Sequence, residues 1–345
     1  IDFTSDYKVD SISNIGKILY SIAKVDMKIF INFAAKDIAY GGGNVFVLNI
    51  VKHLSKLNNV TITYTLDDDI DIYFLIDIRK DGRFKKYTFD EIYNNKVKNG
   101  KGKIVYRIND CDVTRTRKSL EPMITKYAKK IDHFVFNSDF IRDYYHDKYD
   151  IFHTKRSSVI YNTSDSSSFY PKEMKLNKKL RIVTHHWSDN INKGYDIYYK
   201  LYQLSKERND IEMVFVGRKF NDNYPDHPQV LGPYKGLELA NVLRSCDIYI
   251  TGSIYDACPM HVLEGLSCGL PMLYIDHEGG GKNICTFNTR DVGVPFKNIK
   301  DVERGIKDIV TNYKTYRKNI EKNLQLYNSD DCYGKFTQVF IQELF

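Results

Sequence analysis

A chain of 345 residues is too long for one ordinary core and fits two domains of roughly 150 residues each. Its 42% hydrophobic and 14% aromatic content is that of a globular protein, and the absence of any apolar run of about 18 residues excludes a membrane-spanning helix. The formal charge of +7 favours acidic partners, among them a nucleotide diphosphate, an anionic acceptor, a membrane surface or nucleic acid. The basic clusters Lys129–Lys130 and Lys178–Lys179 are short, however, and no RNA-binding aromatic signature accompanies them, so no nucleic-acid partner is expected. Cys111, Cys246, Cys258, Cys268, Cys285 and Cys332 show neither C-x2-C pairing nor the density of a secreted scaffold. They read as reduced and structural, which, with no secretory signal, points to a cytoplasmic chain that is at most peripheral to a membrane.

Residues 1–26 are expected to form an upstream helical or linker segment tied to a further domain, and a Rossmann-type module begins at Met27. Lys28–Phe33 is a predicted strand, and Gly41-Gly42-Gly43 opens a helix whose apolar Val47, Ile50, Val51 and Leu54 follow the helical period. Glycines there permit a close ligand approach and the helix start favours an anion, so Gly42 and Gly43 line either a phosphate or a plain tight turn. Val60–Thr65 and Ile70–Ile76 read as strands. The D-x-D of Asp69 and Asp71 is a pattern that can hold a divalent cation, but it stands in a turn before a strand and is assigned to turn chemistry. Residues 79–102, charged and weakly periodic, are expected to be irregular. Lys103–Ile108 is a strand whose end carries Arg107, Asn109, Asp110 and Asp112. Ligands of open α/β sheets gather at strand carboxyl ends, so this cluster is either an acceptor site or the capping loop of a helix near residues 119–130. His133–Asn137 is a strand, Ser138 caps the next helix, and Ser157–Asn162 closes the first domain, 27–165.

Thr163–Lys179 is polar, Ser-rich and Pro-containing, the composition of a domain boundary; the linker is placed at 166–179 and the second domain at 180–330. Leu180–Thr184 is a strand leading through His185, His186 and Lys193-Gly194 into a helix from Tyr195. Arg218 follows the Glu212–Gly217 strand and so offers a cation at a strand carboxyl end. After a helix around Leu237–Ser245 and the strand Asp247–Ile250 comes the most informative stretch, Thr251–Asp276. Pro259 suits a helix start, Gly269 a left-handed stop and Pro271 forbids continuation, which predicts a helix over about residues 259–268 followed by a buried strand. Val262, Leu263 and Leu266 give it an apolar stripe. Asp256 before the helix and Glu264 within it flank free backbone N–H groups of Met260 and His261, a site suited to a phosphorylated sugar. Gly279-Gly280-Gly281 is either a turn beside that ligand or a bare loop. Residues 299–327 form one or two helices and 331–345 a terminal one.

The acid-x7-acid element from Asp256 to Glu264, followed by Cys268-Gly269-Leu270-Pro271, resembles the signature of retaining glycosyltransferases of family 4. Lys193-Gly194 and the passage from Val159-Ile160-Tyr161-Asn162 to Phe169-Tyr170-Pro171 resemble that family too. The resemblance implies the GT-B fold, α/β with two Rossmann-like doubly wound parallel-sheet domains facing a cleft. It implies a UDP- or GDP-sugar donor, no metal, and a glycan, lipid-linked or protein-linked acceptor. By the same resemblance Glu264 holds the ribose, Asp256 the sugar hydroxyls, and the amides at Met260 and His261 the diphosphate, while Gly42 and Gly43 face it from the first domain. Lys193 neutralises the leaving diphosphate. Ser188 stands where the family usually has Arg, so the diphosphate is neutralised either by one cation fewer or by Arg218 beside Gly217, with His185 or His186 as a further donor. Asp110 stands where the family often has an acceptor-side His, and the terminal helix crosses back onto the first domain. Transfer would proceed with retained configuration, amides and cations stabilising the leaving group. A sugar-nucleotide epimerase of the same fold and a silent nucleotide-sugar binder are the alternatives.

Overall fold

Two parallel sheets, each six-stranded, organise the chain. The computed structural model describes residues 26–38, 41–80, 83–115, 119–173, 175–286, 291–328 and 331–345, so the upstream segment 1–25 lies outside it. The first sheet contains β1 (Met27–Ile31), β2 (Val60–Thr63), β3 (Ile72–Leu75), β4 (Lys103–Ile108), β5 (His133–Phe136) and β6 (Arg156–Val159), in the order β2-β1-β3-β4-β5-β6. The second contains β7 (Leu180–His186), β8 (Ile211–Gly217), β9 (Val230–Leu231), β10 (Ile248–Thr251), β11 (Met272–Ile275) and β12 (Gly293–Phe296), in the order β12-β11-β10-β7-β8-β9. β3 and β10 are buried at every position, as strands covered by helices on both faces must be. In each sheet the order reverses once, between β1 and β3 and between β7 and β10. These are the two places where neighbouring loops diverge and leave a crevice.

Residues 79–102 are not irregular as expected: Phe89–Asn99 is a helix. Its charged sequence hides the apolar period, but Thr88 and Glu91 form a capping box and Gly100 stops it in the left-handed region at φ 66°. The D-x-D is turn chemistry. Asp69 pairs with Lys28 at 2.6 Å and Asp71 with Lys101 at 3.1 Å, at the amino end of the strands.

The last helix, Asp331–Leu344, lies on the first sheet, with the Phe336 ring 5.2 Å from Phe46 and Phe340 5.0 Å from Phe74. Its buried Glu343 is 3.0 Å from both His133 Nδ1 and Arg156 Nη1. The connection between the sheets is packed rather than loose. Ser164 N–H donates to Tyr327 O at 2.8 Å, Phe169 is buried, and Arg317 donates to Lys172 O at 2.6 Å and to Gly269 O at 2.8 Å. Among the described residues no helix is long and apolar enough to cross a membrane.

Candidate active site

The crevice between β7 and β10 gathers most of the residues singled out from the sequence. Beyond β7 the chain makes one tight turn, Ile191–Lys193, capped by the Asn190 side chain, and Gly194 follows at φ 81°. A Cβ on Gly194 would stand 2.4 Å from Gly252 O, so only glycine lets this loop lie on the one that leaves β10. That contact carries Lys193 Nζ to within 2.5 Å of Asp256 Oδ2. On the other side Gly280 N–H donates to Asp256 O at 2.6 Å, and a Cβ on Gly280 would meet Ala257 O at 2.2 Å. The glycine run 279–281 is therefore a backbone clamp on the Asp256 loop.

Glu264 is inside the helix Met260–Ser267 and 7% exposed. Its burial has a partner: His185 Nε2 is 2.7 Å from Glu264 Oε2, while His185 Nδ1 lies 3.0 Å from Tyr249 Oη. The carboxylate is thus aimed by an imidazole that is itself fixed. Pro259 takes the N-cap rather than the first helical position, so the helix begins at Met260, one residue later than expected. Val262 and Leu263 N–H groups bond to Pro259 O, and those of Met260 and His261 stand outside the helical ladder.

A polar layer underlies this crevice. His186 Nε2 lies 3.1 Å from Thr184 Oγ1 and 2.8 Å from Tyr198 Oη, and His261 Nε2 lies 3.0 Å from Thr251 Oγ1. Burial, reinforced by neighbouring imidazoles and Lys193, holds both histidines well below the ordinary value, so both are neutral. Tyr198 Oη also accepts the Gly252 N–H at 2.8 Å, which ties the layer to the loop above it. His186 is therefore a brace beneath the crevice, not an exposed donor. Gly217 is likewise structural, because a Cβ there would stand 2.3 Å from His186 O. Arg218 is exposed at the end of β8, the strand beside β7.

The first half meets this crevice at several points. An added Cβ on Gly42 would lie 2.8 Å from Met260 Cγ, so the first glycine run abuts the start of the Met260–Ser267 helix. Ser138 Oγ donates to Ala257 O at 2.6 Å, and Asn162 Nδ2 to Cys258 O at 2.9 Å. Asn190 and Asn192 side chains donate to Thr114 O at 3.3 Å and Val113 O at 3.2 Å. The expected acceptor cluster does not assemble at the surface. Asp110 is buried and accepts from the Thr114 hydroxyl and from Cys111 N–H. Arg107 is 1% exposed, lies 3.8 Å over the Phe46 ring and donates to Asn162 Oδ1 at 2.5 Å; burial draws its pKa down to about 10. These two are walls: Arg107 in β4 is covered by Phe46, and Asp110 just beyond it by the turn that carries Thr114.

Sequence reading missed the roles of His185 as a partner of Glu264, and of Asn190, Asn192, Tyr198 and Tyr249. Only Asn190 carried a local signal, as a residue able to cap the turn that follows it. The rest depend on contacts between distant segments.

Residues 167–326 match the family profile described as glycosyl transferases group 1. Over that stretch, somewhat less than half of the chain, the sequence resembles group 1 glycosyltransferases. The match spans β7 to β12 and every residue of the crevice between β7 and β10. The chain as a whole also resembles solved GT-B structures. Sucrose-phosphate synthase from Thermosynechococcus elongatus is 14% identical, with 92% of this chain and 98% of that one covered at a TM-score of 0.66. HepE from Anabaena, in complex with UDP and glucose, is 12% identical, with 92% and 100% covered at a TM-score of 0.64. The pneumococcal O-GlcNAc transferase GtfA, in complex with UDP and GlcNAc, is 13% identical, with 79% of this chain and 57% of that one covered at 0.59. At such identities the likeness is one of fold. No curated protein matches the chain in sequence.

Proposed function

We propose that this protein transfers a sugar from UDP-sugar to a hydroxyl of its acceptor with retained configuration. The observation that carries the reading is the convergence at the β7–β10 crevice of Lys193, Asp256 and a Glu264 held by His185, around the N-terminus of the Met260–Ser267 helix. In this reading the second half, 180–330, binds the donor; the first, 27–165, presents the acceptor; and the segment 331–345 belongs with the first. Glu264 accepts from the ribose hydroxyls. The amides of Met260 and His261 and the Lys193 ammonium take the diphosphate, with Gly42 opposite and Arg218 the further cation. Asp256 then exchanges its contact with Lys193 for the hydroxyls of the transferred sugar. As the sugar–phosphate bond breaks, negative charge builds on the leaving diphosphate. Fixed amides and an ammonium already in place stabilise that charge without reorganising. UDP is the assigned nucleotide because HepE and GtfA, of the same fold, were solved with it. The buried, reduced cysteines fit a cytoplasmic location.

The test is thermal stability of the purified chain against UDP, GDP, ADP, dTDP and their sugars. A ligand at about 100 times its dissociation constant adds roughly 2.7 kcal/mol, a readable shift. Stabilisation by uridine nucleotides, lost in Glu264→Ala, is the expected result. Equal stabilisation of Glu264→Ala would remove the ribose assignment, and no response to any nucleotide would remove the donor site.

A further inference from the structure

The second place where a sheet reverses its order lies between β1 and β3, and its chemistry differs from that of the donor crevice. The loops leaving these strands carry Lys36, Arg79, Lys80, Arg83, Lys85 and Lys86. From Asp77 to Lys86 the chain has five cationic side chains against two acidic ones, so the segment stays positive even with both acids paired. Elsewhere basic residues are scattered; here they converge on one crevice.

The cations are held in place. Arg79 donates to Asp77 twice, at 2.9 and 2.7 Å, and Lys85, whose side chain is 6% exposed, donates to the same carboxylate at 2.9 Å. Asp77 is fixed in turn, since its carbonyl accepts from Asn32 Nδ2 at 2.7 Å. Phe84 stacks on Phe33 with ring centroids 5.0 Å apart, and Lys36 and Arg83 lie over the Phe84 ring at 5.6 and 4.9 Å. A stacked, buried aromatic floor thus fixes two cations above it, while Arg83 and Lys86 remain exposed.

This platform sits between the two points where the halves meet. On one side Lys36 is bonded through its backbone to Asn44, two residues beyond the Gly42 that abuts Met260. On the other, Arg79 and Lys85 stand on the loop leaving β3, next in the sheet to β4, whose end leads to the Val113 and Thr114 carbonyls that receive Asn192 and Asn190. The platform therefore borders contacts with the half that carries Lys193 and Asp256.

We infer that the crevice between β1 and β3 binds an acceptor bearing oxyanion groups, phosphate or carboxylate, through Lys36, Arg79, Arg83 and Lys86. The word acceptor rests on the donor reading above; the anion site stands on its own geometry. Like-charged side chains gathered at a strand-end crevice raise the local concentration of an oppositely charged substrate and reject its neutral counterpart.

The experiment is calorimetric titration of the full chain, with UDP in excess, by sodium polyphosphate and by neutral dextran. Sedimentation with phosphatidylcholine vesicles, plain or containing phosphatidylglycerol, runs alongside. Polyphosphate or the anionic vesicles should bind and the uncharged probes should not; vesicles alone would mark a lipid headgroup, polyphosphate alone a soluble phosphate. The exposed pair Arg83→Glu with Lys86→Glu should weaken that binding about tenfold or more. Lys129→Glu with Lys130→Glu, ahead of β5 at the opposite end of the sheet, should leave it unchanged. Equal binding of dextran, no binding of either anion, or the same loss from both pairs of substitutions overturns the inference. A chain that binds the anion but shows no nucleotide response retains this site and loses the donor reading instead.

Discussion

The two crevices are built by one rule and filled by opposite means. Between β7 and β10 the polar groups are paired: Glu264 with a buried His185, half-buried Lys193 with half-buried Asp256, and neutral His186 and His261 below. Between β1 and β3 the groups are cationic, partly exposed and carried on loops over an aromatic floor. An internally paired site suits a ligand of fixed shape that exchanges defined contacts. An exposed positive platform suits a ligand recognised mainly by charge. One fold thus separates recognition by geometry from recognition by field.

The largest effect expected is at Lys193. Lys193→Ala should lower kcat about 10²–10³-fold while the polyphosphate titration stays as in the parent chain; a joint loss would mean the crevices are not independent. Next, Glu264→Gln should weaken nucleotide binding about 10–100-fold, some 1.5–3 kcal/mol for a hydrogen bond to a charged group, read by titration with UDP. Gly194→Ala should cost about 1–3 kcal/mol of stability, visible as a lower Tm, because it combines a left-handed backbone with a clash against Gly252. The same substitution at Gly41, which has nothing within 4 Å of an added Cβ, should be silent by comparison.

Proton binding separates the crevices further. His186 and His261 are held neutral in the fold, so the unfolded chain binds more protons than the native one once pH drops below the ordinary histidine value of 6.5. Stability should be flat above that value and decline below it, by up to about 1.4 kcal/mol per pH unit for each histidine. His186→Gln should flatten the decline, and an unchanged slope would mean the buried imidazoles do not cause it. A modest effect is expected for Asn192→Ala, about 0.5–1.5 kcal/mol for each neutral hydrogen bond its side chain donates to Val113 O and Thr114 O, seen as a raised acceptor KM at unchanged nucleotide affinity.

The crevice between β7 and β10 was legible because its elements are local. Pro259, Gly269 and the apolar stripe bound one helix, and Glu264 was conspicuous as an acid in a stretch that is otherwise buried. Its partner could not be read, since His185 lies 79 residues earlier and nothing in its surroundings distinguishes it from a core histidine. Most strands were legible for the same local reason, but the short Val230–Leu231 and Gly293–Phe296 were not. Phe89–Asn99 was lost to a search for apolar period in a charged helix, although Thr88, Glu91 and Gly100 bounded it plainly. Asp110 was misjudged because the end of a strand fixes a residue's height in the sheet, not whether a neighbouring loop covers it.

The chain passes between the sheets twice, and both passages run through one small region. Ser164 on the outward passage bonds to Tyr327 O on the return, and Thr163 Oγ1 lies 3.2 Å from Cys332 Sγ at the start of the terminal helix. Two strands of chain fastened side by side act as a pivot and resist twisting and sliding. Any opening of the cleft is then a swing about that fastening. It would separate the far contacts first, Lys235 from Asp37 and Asn192 from Val113, while leaving Ser164 and Thr163 where they are.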